Sequence, residues 1–164
     1  MDTAPVKLAY AVLVFRYKHR KDTTFQWGVL CNGKRLMPSK LAQFEGTTAF
    51  FGGKIEDGET PQGAMERELR EELALSYEEL DSLHPYVPLD SVGGAAFSAV
   101  DIGVLDEDRL RNYASDCAEG IVDPVLERAF AATRWVSWPG GPDIGAIAQK
   151  AVNSIQAAVA GGAA

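Results

Sequence analysis

The feature that most constrains this chain is the run from Gly52 to Leu75, GGKIEDGETPQGAMERELREELAL. Asp57-Gly58 is turn chemistry. Thr60-Pro61 reads as a helix start, with a hydroxyl to cap the first N–H groups and a proline whose missing N–H costs nothing there. From Pro61 to Leu73 the residues keep a helical period. At about 100° per residue, Met65, Leu69 and Leu73 form one apolar stripe, and Glu68, Glu71 and Glu72 fall in the adjacent arc. The expected helix lies on the core by one face and carries three carboxylates along the edge of that contact.

Two readings of that edge compete. Charged side chains are mostly exposed, so the plain one is a solvated acidic face, with Arg67 and Glu71 as an i,i+4 pair worth a few tenths of a kcal/mol. Against it, carboxylates about 6 Å apart repel by roughly 3 kcal/mol per pair at an effective dielectric of about 20. If the face is partly enclosed, a bound cation makes it tolerable. Oxygen ligands without a nearby His or Cys select Mg²⁺ or Mn²⁺.

The rest of the chain sets bounds. Its 164 residues fit one domain, and a 46 % apolar, 24 % charged composition is that of a globular protein. Apolar runs such as Leu8 to Phe15 fall far short of the roughly 20 residues that span a bilayer, so no membrane association is expected. Met1 to Pro5 shows no leader pattern, and Cys31 and Cys117 form no CxxC; both point to a reducing, cytoplasmic setting. Sixteen basic against 23 acidic residues give a net charge of −7. That disfavours a nucleic-acid polymer as partner, and it suits a phosphate-bearing ligand only if a cation intervenes.

Strands are expected at Val6 to Tyr17, Phe25 to Cys31, Thr47 to Phe51 and Ala95 to Leu105, with a short one at Arg134 to Trp138. Asn32-Gly33 carries a hairpin signal. Ser76-Tyr77-Glu78-Glu79 is a capping box, so a second short helix is expected to begin there. Asp106 to about Ala118 reads as a surface helix. Asp143 would cap a terminal amphipathic helix over about 143–159, whose apolar face could serve a homodimer. Strands interspersed with two or three helices indicate an α/β or α+β class.

The acidic run resembles the Nudix box, Gly-x5-Glu-x7-Arg-Glu-U-x-Glu-Glu-x-Gly-U, where U is aliphatic. Gly53, Glu59, Arg67, Glu68, Leu69, Glu71, Glu72 and Leu75 match eight of its nine specified positions, and Ala74 replaces the last glycine. The resemblance implies a single α/β domain over 1–164, a Nudix-like α/β/α sandwich with a mixed β-sheet between helices. It implies metal-dependent hydrolysis of a diphosphate bond in a nucleoside diphosphate linked to another group. That group could complete a nucleoside triphosphate, a nucleotide sugar or a dinucleoside polyphosphate.

By the same resemblance, Glu68, Glu71 and Glu72 would hold Mg²⁺ or Mn²⁺, with the Gly52 carbonyl as a further ligand. Glu68 would bind directly, act through water, or orient the attacking water. Arg67 would position the glutamates, and Glu59 would tie the loop to the helix. A general base from a late loop is expected, with Glu127 favoured over Glu119, Asp116 and Asp123. Lys54 and Arg16 are candidates for phosphate or substrate contact, and Phe50, Trp27 and Trp138 for stacking on a base. Three alternatives stand beside this reading: a catalytically silent nucleotide-binding or regulatory module, an isomerase using Cys31, and an acidic interaction helix.

Overall fold

The computed structural model describes residues 5–18, 24–34, 47–73, 76–81, 86–89, 91–109, 121–137 and 142–162. Strand β1 (Leu8–Tyr17) is apolar without alternation, which suits a strand covered on both faces. Ala9, Ala11, Leu13 and Phe15 point to one core cluster, and Val12 and Val14 to another. The other strands are β2 (Gln26–Lys34), β3 (Thr47–Ala49), β4 (Phe51–Lys54), β5 (Tyr86–Pro88), β6 (Ala95–Leu105) and β7 (Ile121–Leu126). They form one mixed sheet in the order β3-β2-β1-β6-β5, with β4 on β1 and β7 on β2. The β1–β6 pair is parallel and the other pairs of named strands are antiparallel.

One departure from regularity builds the site. Strands β1 and β2 pair over Leu13–Tyr17 and Gln26–Leu30 and then part. The start of β1 pairs instead with β4, and the end of β2 with β3. Residues 47–54 therefore fill the gap between two diverging strands.

Helix α1 (Pro61–Leu73) covers one face, burying Ala64, Met65, Leu69 and Leu73 on the first cluster. The predicted start holds: Thr60 Oγ1 accepts from the Gly63 N–H at 3.1 Å. Helix α2 (Tyr77–Asp81) begins with the predicted capping box, Ser76 and Glu79 each accepting from the other's N–H, at 3.1 and 3.2 Å respectively. A 3-10 helix, Glu127–Ala132, follows β7. Helix α3 (Ile144–Gly162) starts at Asp143, whose Oδ1 accepts from the Ala146 N–H, and covers the opposite face through Ile144, Ala148, Ala151, Val152 and Ile155. The architecture is the expected α/β/α sandwich around a mixed sheet. No helix among the described residues is long and apolar enough to cross a membrane.

Four expectations are corrected. Asn32-Gly33 makes no hairpin: β2 runs on to Lys34, paired with β3 on one side and β7 on the other, so the ladders on both flanks override the local turn preference. Arg134 to Trp138 reduces, among the described residues, to a single parallel bridge between Thr48 and Trp135. Residues 121–132, read from sequence as loop, are β7 and the 3-10 helix. The strand at 86–88 was likewise not expected. Of the proposed surface helix at 106–118, residues 107–109 are helical, and 110–118 lie outside the described residues.

Asp101, 7 % exposed, is held where the β1–β6 register shifts between Val14 and Phe15. Arg16 Nη2 donates to both of its carboxylate oxygens, at 2.9 and 2.8 Å, and the Gly103 N–H donates to Oδ1 at 2.8 Å. Removing one member strands the other charge in a largely desolvated place. Asp101→Ala is expected to cost about 3 kcal/mol in urea unfolding. A loss under about 0.5 kcal/mol, the size expected for an ordinary surface substitution, would contradict this role.

Candidate functional site

The site is built on Gly52 and Gly53 of β4. Gly52 has φ +153° and pairs with Tyr10; a Cβ there would overlap the Ala9 carbonyl oxygen and lie 2.7 Å from Tyr10 Cα. At Gly53 a Cβ would lie 2.7 Å from Glu68 Oε1. The carboxylate of Glu68 thus occupies space that only a glycine leaves open.

Arg67 organises the acids around it. Its Nε and Nη2 bind Glu59 as a two-pronged fork at 2.9 and 3.0 Å, and Nη2 also donates to the Lys54 carbonyl at 2.9 Å. Nη1 reaches Glu68 Oε1 at 3.1 Å and Glu71 Oε2 at 3.4 Å. One guanidinium therefore joins the end of β4, the loop and the acidic edge of α1. Glu59 also accepts from the Glu56 N–H at 2.9 Å. The Arg67 fork and this backbone bond hold its carboxyl below the usual 4.5. Arg67 is in turn pushed up by the Glu59 bond.

The three glutamates differ in setting. Glu71 is 59 % exposed and Glu68 15 %. Glu72 turns Oε2 away from solvent altogether. Burial, followed by the charges of Glu72 and Glu68, raises the Tyr10 hydroxyl above its ordinary value. Carboxylates from two successive turns of α1 therefore face the start of β1 across the glycine pair.

Their chemistry suits a hard divalent cation: oxygen donors, enclosure on one side, and no His or Cys among these residues. Their present arrangement is not a finished cage. Among the described residues, no three His, Cys, Asp or Glu side chains gather closely enough to hold a metal ion. Arg67 draws on Glu68 and Glu71.

The other candidates fare differently. Lys54 is exposed at the end of β4, and its carbonyl is engaged by Arg67. Phe50 is 3 % exposed and packs on Phe97 and Trp135, so it is core rather than a stacking surface. Arg16 is committed to Asp101 and lies over the Trp27 ring, 5.3 Å from its centroid. Both therefore serve the fold at these positions. Glu127 begins the 3-10 helix and accepts from the Gln149 side chain of α3. It lines an open cleft of about 450 Å³ with Trp135, Asp143 and Gln149, and the structure does not gather it with the α1 glutamates. Cys31 is fully buried among the residues under α3, its thiol pushed up by burial and then by Asp123, which argues against a reactive cysteine. Ala74, Leu75, Asp116, Glu119 and Trp138 lie outside the described residues. Tyr10, whose hydroxyl feels the charges of Glu72 and Glu68, carried no mark of this in the sequence.

A family model for the NUDIX domain matches residues 10–143, and this chain belongs to that family. Its fold is similar to the crystal structure of a mutT/nudix family protein from Listeria innocua, with a TM-score of 0.65 at 16 % identity, covering 95 % of this chain and 98 % of the other. It is also similar to RenU, a Nudix hydrolase from M. smegmatis, with a TM-score of 0.52 at 20 % identity, covering 92 % and 86 %. No curated protein matches the chain.

Two measurements check this geometry. At Gly52 the obstacle is backbone, whereas at Gly53 it is the movable end of Glu68. Gly52→Ala is therefore expected to lower stability by about 3 kcal/mol and Gly53→Ala by about 1 kcal/mol or less; the reverse order in thermal melts would contradict it. Glu59, with its depressed pKa, contributes stability that is full above about pH 4.5 and fades as pH falls through its lower folded value. The stability gap between wild type and Glu59→Gln is expected to close below that pH. A constant gap down to pH 2 would count against the Arg67–Glu59 fork.

Proposed function

We propose that this protein is a metal-dependent diphosphohydrolase acting on a nucleoside diphosphate linked to another group. The observation that carries the reading is the acidic edge of α1, tied by Arg67 to β4 and set against the bare Gly52–Gly53 pair. Glu72 and Glu71 would hold Mg²⁺ or Mn²⁺, Glu68 would bind it directly or through water or orient the attacking water, and the Gly52 carbonyl would be a further ligand. A bound ion of this kind neutralises the diphosphate, lowers the pKa of a bound water and stabilises charge on the bridging oxygen.

The remaining work belongs to the chain. Arg67 keeps the glutamates on one edge, and Glu59 keeps Arg67 in place. Lys54, exposed beside them, is free to meet a phosphate oxygen. With a net charge of −7, the chain needs such a cation to accept a polyanion. Glu127 carries no step in this reading, because Gln149 holds it on the α3 side.

A second reading, a nucleotide-binding module without turnover, is favoured by one observation: Arg67 holds Glu68 and Glu71 together with Glu59. A panel of nucleoside triphosphates, nucleotide sugars and dinucleoside polyphosphates, assayed with Mg²⁺ and phosphate-product detection, separates the two. Hydrolysis is expected, abolished by a chelator and mostly lost in Glu72→Gln with the fold intact. Undiminished turnover in that variant would sink the reading, and nucleotide binding without Mg²⁺ or product would select the second.

A further inference from the structure

The Arg67 guanidinium has one end pinned and one end shared. Nε and Nη2 are fixed by Glu59 at 2.9 and 3.0 Å and by the Lys54 carbonyl at 2.9 Å, so the group cannot swing away from the edge of α1. Nη1 meets three acids: Glu68 at 3.1 Å, Glu71 at 3.4 Å and Glu56 at 3.8 Å. It carries two N–H groups, and Glu68 and Glu71 take them up. Glu56 is left with an ion pair alone. Its main chain is nonetheless held: its N–H donates to Glu59 Oε1 at 2.9 Å, and its carbonyl accepts from the Glu59 N–H at 3.0 Å. A tethered backbone thus presents a carboxylate that is 65 % exposed and able to turn.

We propose that Glu56 is a positioning residue, the standby partner of Arg67, which takes over Nη1 when Glu68 and Glu71 turn from the guanidinium to a divalent cation. The inference rests on the reading of that edge as the metal-holding one. In the metal-free protein, Nη1 supplies the positive charge between Glu68 and Glu71. A divalent ion and a guanidinium sharing the same oxygens repel each other. With Nε and Nη2 pinned, Nη1 cannot retreat, so the compensating charge has to come to it. Among the described acids around Arg67, Glu56 has neither a carboxylate hydrogen bond to give up nor a place on the α1 edge. Hydrogen-bonding partners one step behind the ligating groups orient them, and losing one typically weakens metal binding about 10- to 100-fold.

The test follows Mn²⁺ binding by the electron paramagnetic resonance of the free ion in wild type, Glu56→Ala and Asp57→Asn. Asp57→Asn removes the same charge from the next residue, which makes no ion pair with Arg67. A thermal melt of each metal-free protein, with Glu59→Gln beside them, completes the set. Glu56→Ala is expected to bind Mn²⁺ about tenfold more weakly, and Asp57→Asn within about twofold of wild type. Both should melt, metal-free, within about 2 °C of wild type, because Nη1 then rests on Glu68 and Glu71. Equal Mn²⁺ affinity in wild type and Glu56→Ala, or equal losses in the two variants, would overturn the role of Glu56 and leave the metal-holding reading intact. A metal-free melt of Glu56→Ala lowered as far as that of Glu59→Gln would also overturn it, since Glu56 would then be a fixed partner. A wild type that binds no Mn²⁺ would overturn both.

Discussion

Arg67 is the interaction on which the rest depends. Three of its nitrogens bind groups from three places in the chain: the carbonyl that ends β4, the loop carboxylate of Glu59, and Glu68 and Glu71 on α1. A guanidinium can do this because its fork is planar and always charged; a lysine in its place would supply one mobile point charge. The apolar stripe of α1 fixes the helix on the sheet, but burial has no direction along the surface. The Arg67 fork supplies that direction. It sets the rotation that lays Glu68 on Gly53.

The glycine pair is the matching constraint on the strand side. A side chain at either position would meet something already in place: backbone at Gly52 and a carboxylate at Gly53. Two small residues in the wedge between β1 and β2 thus let a helix edge, a strand and an aromatic ring approach each other more closely than ordinary side chains allow. Two opposing demands meet there. On the proposed reading, acidic groups must come close enough to share a cation, yet remain tolerable in its absence. Arg67 meets the second demand at Glu68 and Glu71.

What could be read from the sequence followed the range of the forces involved. Helix α1 with its cap at Thr60, and the caps of α2 and α3 at Ser76 and Asp143, are local: period, proline and hydroxyl positions lie within a few residues of what they determine. The acidic edge and its Arg67 partner were legible for the same reason, since i,i+1 and i,i+4 neighbours on a helix follow from spacing alone. Long-range pairing was not legible. Asn32-Gly33 carries the chemistry of a turn, and only ladders on both flanks turn it into strand. Val122-Asp123-Pro124 reads as loop because proline lacks a ladder donor, yet β7 pairs with β2 through it. Phe50 and Arg16 were candidates by residue type, and their partners, Phe97, Trp135 and Asp101, lie 47 to 85 positions away.

The central claim is that the α1 edge captures a divalent ion against the Gly52–Gly53 pair. Anomalous diffraction from a crystal soaked in Mn²⁺ tests it most directly. The account requires a peak in contact with carboxylate oxygens of Glu68, Glu71 or Glu72, beside the Gly52 carbonyl. Those side chains turned out into bulk solvent with no density among them would contradict it.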